Sequence, residues 1–212
     1  MTRGRPLDLR VYVVTDPEGS ADVAATVEAA LRGGARTIQI RDKHAPDGDL
    51  IDLAARLAPA VRRAEGLLIL NDRLEAATRA AVDGVHLGAE DRPVREARRL
   101  LGPDAVIGWS ARDRTEAEAT DPALVDYCGL GPVYPTSTKP DAAPALGIDA
   151  FRDACSVCRV PVVGIGGIDA SNAAAVIRAG AVGVAVVTAV SRAADPRAAT
   201  EGLARAVRGS AR

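Results

Sequence analysis

Eight short β-rich runs alternate with Ala-, Arg- and Leu-rich helical stretches along the whole chain, and that alternation leaves few folds open. Successive strands joined through helices must run parallel, because each crossover returns the chain to the same end of the sheet. The runs read as Val11–Thr15, Thr37–Arg41, Leu67–Leu70, Gly84–Leu87, Ala105–Gly108, 125–130, Val160–Gly164 and Gly183–Val187. A helical pattern over 21–32 closes on Gly33-Gly34, where a left-handed C-cap belongs. Others pass through Leu50, Leu53, Leu57 and Val61, cover 74–81, start at Pro93, cover 115–119, contain Cys155 and Cys158, and follow Asn172 and Asp195-Pro196. Eight strands and eight helices at roughly 25 residues per unit suit one (β/α)8 TIM barrel over 1–212. The rival is a doubly wound open sheet, which gathers its polar signals at one switch point. Here they follow most strands, as a ring of βα loops requires.

Composition narrows the function. A formal net charge of −1 gives no general attraction to nucleic acid or to an anionic membrane, and aromatics are 2% of the chain, too few for base stacking. The longest apolar run, 181–190, is too short to span a bilayer, and no secretion-type segment follows the basic start. Three cysteines, an odd number, fit a reducing compartment, so the expected location is cytoplasmic. Cys155 and Cys158 have C-x-x-C spacing without a second ligand pair and read as packing residues. His44 and His86 form no motif with each other.

Lysine is the informative residue. Of 27 basic side chains only Lys43 and Lys139 are lysines, and both stand just beyond strand ends. Lys139 closes Gly131-Pro132-Val133-Tyr134-Pro135-Thr136-Ser137-Thr138-Lys139, a loop whose hydroxyls and N–H groups can converge on an anion. Gln39, Arg41 and Lys43 alternate at period two and share a face if the strand persists, while Ile38 and Ile40 turn toward the helices. Burying those cations calls for an anion or a carboxylate. Asp72, past the third strand, and Glu90 and Asp91, past the fourth, supply carboxylates. Two aspartates from adjacent loops suit Mg²⁺ beside a phosphorylated substrate, the alternative for each being a helix cap. Gly166-Gly167 after strand seven and Val187-Thr188 after strand eight occupy the usual phosphate-binding loops of such barrels.

Taken in order, Gln39–Lys43, Asn71-Asp72-Arg73, Gly84–Asp91, Gly108–Ala111, Gly131–Lys139 and Gly164–Ile168 resemble the thiamine-phosphate synthase family over nearly the whole chain. The resemblance implies a phosphate-binding barrel that joins hydroxymethylpyrimidine diphosphate to a thiazole phosphate and releases pyrophosphate. It implies pyrimidine diphosphate contacts from Gln39, Ile40, Arg41, Asp42, Lys43, Asn71, Ser110 and Lys139, with Lys139, Arg41 and Lys43 catalytic through their charge. It further implies Mg²⁺ on Asp72 and Asp91, and thiazole phosphate on Thr136, Ser137, Thr138, Gly166, Gly167, Val187 and Thr188. Ala89 stands where the family commonly has Gln, and Trp109 where it has a smaller apolar residue. The expected partners are these small molecules, with no nucleic acid and no membrane; a homo-oligomer stays open. Two other readings share the barrel. A thiazole tautomerase needs a histidine where this chain has Pro132, and a non-catalytic phosphate binder would not need the aspartates.

Overall fold

Runs such as Val11-Tyr12-Val13-Val14 carry apolar side chains on both faces, so both faces must be covered. A closed barrel inside a shell of helices does this, and the computed structural model, which describes residues 6–136 and 144–210, has that form. The parallel strands are β1 (Val11–Val14), β2 (Thr37–Ile40), β3 (Leu67–Asn71), β4 (Gly84–Leu87), β5 (Val106–Ala111), β6 (Tyr127–Leu130), β7 (Val162–Ile165) and β8 (Gly183–Val186). Closure sets Val11 of β1 opposite Val184 of β8 and Val13 opposite Val186. The helices among the described residues are α1 (Val23–Gly33), α2 (Asp47–Arg63), α3 (Leu74–Ala77), α4 (Val94–Leu101), α5 (Arg114–Glu118), α6 (Gly147–Val157), α7 (Ala173–Arg178), α8 (Thr188–Ser191) and α9 (Pro196–Arg208).

Strand alternation divides the core in two. Val11, Val13, Ile38, Ile40, Leu68 and Leu70 point outward and pack with Leu50, Leu57 and Phe151 of the helices. Tyr12, Val14, Leu67, Ile69, Val106, Tyr127, Val163 and Ala185 point inward and fill the barrel. Each large side chain hidden this way contributes roughly 1.5–3 kcal/mol relative to exposure. The helix ends are set locally. The Asp22 carboxylate accepts from the N–H groups of Ala24 (2.9 Å) and Ala25 (3.1 Å) to start α1, and Gly34 closes it at φ 107°. Asp195 caps α9 through the Ala198 N–H, with Pro196 in the first turn.

The barrel expected from the alternation is the fold found, with corrections at the edges. β5 runs to Ala111, three residues past the predicted end at Gly108, so Trp109 and Ser110 lie on a strand and not in a loop. Pro161 falls outside β7, which starts at Val162, so no proline interrupts the ladder. The third helix stops at Ala77, short of the predicted Ala81. A ninth helix, α8, follows β8 directly, where Val187-Thr188-Ala189-Val190 had read as a strand end and a loop. No helix among the described residues is long and apolar enough to cross a membrane.

Candidate active site

Side chains at the carboxyl ends of the strands build the mouth of the barrel. Gln39 is the inward residue of β2, as the period-two pattern predicts, and is buried. Its Nε2 donates to the Tyr12 hydroxyl at 2.6 Å, which lies 2.8 Å from the Tyr127 hydroxyl. Tyr127 Oη is 2.9 Å from His86 Nδ1, and His86 Nε2 is 2.8 Å from Ser110 Oγ. A continuous polar chain therefore crosses the barrel from β2 to β5 through β1, β6 and β4. Gly108 makes room for it, since a Cβ there would meet Tyr127 Oη at 2.3 Å and His86 Nδ1 at 2.4 Å. Burial pulls the His86 imidazole down to about 4 and pushes both phenols above their usual range, so at neutral pH the chain carries no charge.

The second feature is a pair of facing carboxyls. Asp72 follows β3 with φ 60°, a left-handed conformation that a residue with a side chain adopts at some cost. Burial first, then hydrogen-bond contact and charge repulsion from Asp91, push its carboxyl up to about 6, and the Arg41 and Lys43 cations offset part of this. Neither aspartate caps a helix: the N-cap positions of α3 and α4 are Arg73 and Pro93, and neither helix has a side-chain cap bond. Asp91 instead accepts the Gly88 N–H through Oδ2 at 2.7 Å, which fixes the β4–α4 loop. Arg73 donates to the Lys43 carbonyl (3.0 Å) and pairs with Asp47 (3.3 Å), holding the β2 loop beside the β3 loop. Two carboxyls in contact beside a cationic rim fit a hard divalent ion that keeps most of its waters. Among the described residues no group of three or more His, Cys, Asp or Glu is arranged as a fuller metal cage.

The opposite side of the mouth is built from backbone. Gly166 and Gly167 have φ 98° and 64°, and a Cβ on either would enter the β6 loop, 2.6 Å from Pro132 Cα or from the Pro135 carbonyl oxygen. That loop is tied down by Val133 N–H to the Ile165 carbonyl (2.8 Å) and Tyr134 N–H to the Gly166 carbonyl (3.0 Å). Next to it, Val187 precedes the first turn of α8, with Thr188 as the first helical residue. First-turn N–H groups have no partner inside their own helix. A short extra helix after the eighth strand is the usual phosphate cradle of such barrels.

Of the predicted residues, Gln39, Arg41, Lys43, Asn71, Asp72, Asp91, Ser110, Thr136, Gly166, Gly167, Val187 and Thr188 all lie at or just past the carboxyl ends of their strands. The Ile40 side chain is buried in the outer core, away from the mouth. The Asp42 carboxylate is engaged by the N–H groups of His44 (2.8 Å) and Ala45 (3.0 Å), which turns its loop. Ser137, Thr138 and Lys139 lie outside the described residues. Sequence reasoning missed Tyr12, His86 and Tyr127. For two of them a signal was present: Tyr12 stands between Val11 and Val13, and His86 between Val85 and Leu87, each the polar member between outward apolar neighbours.

The profile of the family described as thiamine monophosphate synthase matches residues 11–190. The chain belongs to that family. The thiamine-phosphate synthase of Chloroflexus aurantiacus is 45% identical over 170 residues, covering 79% of this chain and 78% of that one. A thiamine phosphate pyrophosphorylase structure from Pyrococcus furiosus superposes with a TM-score of 0.88 at 36% identity, covering 96% of this chain and 97% of its own. A bifunctional thiamine biosynthesis protein of Symbiobacterium thermophilum is 48% identical over 166 residues, but this chain spans only 34% of its length. Family membership makes the chain an enzyme of thiamine biosynthesis, a transferase of the thiamine-phosphate synthase type.

Proposed function

We propose that the mouth of this barrel joins hydroxymethylpyrimidine diphosphate to a thiazole phosphate, plain or carboxylated, to give thiamine phosphate and pyrophosphate, with CO₂ released as well when the thiazole carries the carboxylate. The observation that carries the reading is the Asp72–Asp91 carboxyl pair beside Arg41 and Lys43, facing a glycine-rich, helix-capped loop set across the mouth. The bond from the pyrimidine methylene carbon to the diphosphate oxygen breaks, and its electron pair leaves with pyrophosphate. The ring amino group stabilises the carbon cation, and the lone pair of the thiazole nitrogen forms the new C–N bond. No protein nucleophile is needed. Arg41, Lys43 and Lys139 neutralise the departing charge, which is where fixed cations accelerate such a step most. Asp72 and Asp91 would hold Mg²⁺, which supplies further charge neutralisation at the leaving diphosphate. The backbone at Gly166-Gly167 and the start of α8, with the Thr188 hydroxyl, hold the thiazole phosphate. Gln39, Asn71 and Ser110 orient the pyrimidine, and the protein works in the cytoplasm on small molecules.

The test is direct. The purified chain, given both substrates and Mg²⁺, should release one pyrophosphate per thiamine phosphate formed, and a chelator should stop it. If no thiamine phosphate accumulates with either thiazole substrate, the reading fails.

A further inference from the structure

The polar chain through the barrel core does more than fill space, because each of its links has one hydrogen to place. Gln39 presents Nε2 to Tyr12, and an amide nitrogen can only donate. The order that uses every hydroxyl hydrogen then follows. Tyr12 donates to Tyr127, and Tyr127 donates to Nδ1 of His86. His86 donates from Nε2 to Ser110, which leaves the Ser110 hydroxyl hydrogen for a ligand. At the other end the Gln39 carbonyl oxygen is turned away from Tyr12 and is free in sense to accept. Reversing the order requires the Gln39 amide to flip, both hydroxyls to rotate and the His86 hydrogen to change nitrogen. A partial reversal sets two hydrogens or two lone pairs against each other inside the core and forfeits a buried hydrogen bond. The sequence pattern adds space for the chain: Gly108 and Gly129 both lie against it, a Cβ on Gly129 falling 3.1 Å from His86 Cε1.

We propose that Tyr12, Tyr127 and His86 are positioning residues, a hydrogen-ordered relay that couples Gln39 to Ser110 so that the two ends are set together as acceptor and donor. The relay reads one edge pattern on a heteroaromatic ring: a donor group such as an exocyclic amine at Gln39, and an acceptor at Ser110. Rings with the opposite pattern would have to reverse the whole relay. The inference rests on the reading above that Gln39 and Ser110 face the pyrimidine.

Two measurements test it. In the ¹⁵N-histidine-labelled full chain without substrate, His86 should show hydrogen on Nε2 and a bare Nδ1 at neutral pH, with a His44→Gln variant identifying the other ring. A predominantly Nδ1-protonated or doubly protonated His86 overturns the order. In kcat/KM for the pyrimidine substrate, Gln39→Ala and Ser110→Ala should couple by on the order of tenfold in the parent. The same cycle built on Tyr127→Phe, which removes only a hydroxyl, should become additive. Additivity in the parent overturns the relay, and so does equal coupling in both backgrounds, which is what a merely structural tyrosine would give. An inactive parent would sink the proposed reaction while leaving the His86 spectrum to decide the relay alone.

Discussion

Aspartates at the two ends of the barrel are used in opposite ways. At the amino end, just before β6, Asp126 accepts the Ile107 N–H at 2.7 Å and an Arg98 N–H at 2.8 Å, so its charge is answered. Arg98 also donates to the carbonyls of Gly102, Ala105 and Leu124 and ties α4 to the starts of β5 and β6. Asp83, just before β4, accepts the Leu68 N–H at 2.8 Å. At the mouth, Asp72 sits in a left-handed conformation with its carboxyl against that of Asp91. Identical side chains thus stabilise one end and strain the other. Local strain of this sort persists only where the surrounding fold over-determines it, and on the reading proposed above a bound cation would relieve it.

The sharpest way to break this comparison is to exchange the effects of the two ends. Asp91→Asn keeps an oxygen for the Gly88 N–H and removes the charge. We expect kcat/KM to fall on the order of a hundredfold to a thousandfold, while the thermal midpoint holds or rises. Asp72→Asn should behave alike, and both should need more Mg²⁺ for what activity remains. A pair of asparagine variants with the parent's Mg²⁺ requirement would reduce these aspartates to loop supports. Arg98→Ala is the mirror experiment. It leaves Asp126 with the Ile107 N–H but without its cation, and takes a donor from several carbonyls in a partly buried place, which costs about 2–3 kcal/mol of stability, or roughly 5–10 °C in Tm for a chain of this size. Turnover per folded molecule should not change. Loss of turnover well below the melting range would mean the amino end is not merely structural.

What the sequence showed and what it hid divide along a similar line. The barrel was legible because apolar runs with helices between them admit few closed arrangements. The carboxylates were legible because Asp72 and Asp91 stand just past strand ends. Ser110 was named as a site residue, yet its strand was cut short at Gly108, since glycine reads as a break when its structural reason is an incoming tyrosine from β6. The relay was illegible because Tyr12, His86 and Tyr127 are far apart in the chain and each passes for a core residue on its own. α8 was hidden for a different reason: four residues are too few to show helical periodicity.

A subtler difference between the ends should appear in pH. The Asp72 carboxyl is raised from 3.8 to about 6 by burial and by Asp91, so in metal-free protein it binds its proton more tightly folded than unfolded. Its contribution is fully present below about pH 4 and is lost as pH rises through about 6. Metal-free protein should therefore lose Tm between those values, Asp72→Asn should flatten that slope, and Mg²⁺ should restore stability at higher pH by binding only the folded mouth. Stability that climbs over the same window in metal-free protein would show that the pair is not strained.

The smallest effect belongs to the half of the mouth made from backbone. If the thiazole phosphate rests on the N–H groups at the start of α8 and beside Gly167, side chains there are accessories. Thr188→Val keeps the shape and every N–H and removes one hydroxyl. A hydroxyl hydrogen bond to a charged phosphate is worth about 1.5 kcal/mol or somewhat more, so KM for the thiazole phosphate should rise on the order of tenfold while kcat and the pyrimidine KM stay near the parent. Thr188→Ser restores a hydroxyl and should recover most of the loss. The contrast with Asp91→Asn is then a difference in kind, with charge that acts in the transition state on one side and uniform binding on the other. A Thr188→Val enzyme as impaired in kcat as Asp91→Asn would place the hydroxyl in the chemistry and erase the division between a side-chain half and a backbone half of this mouth.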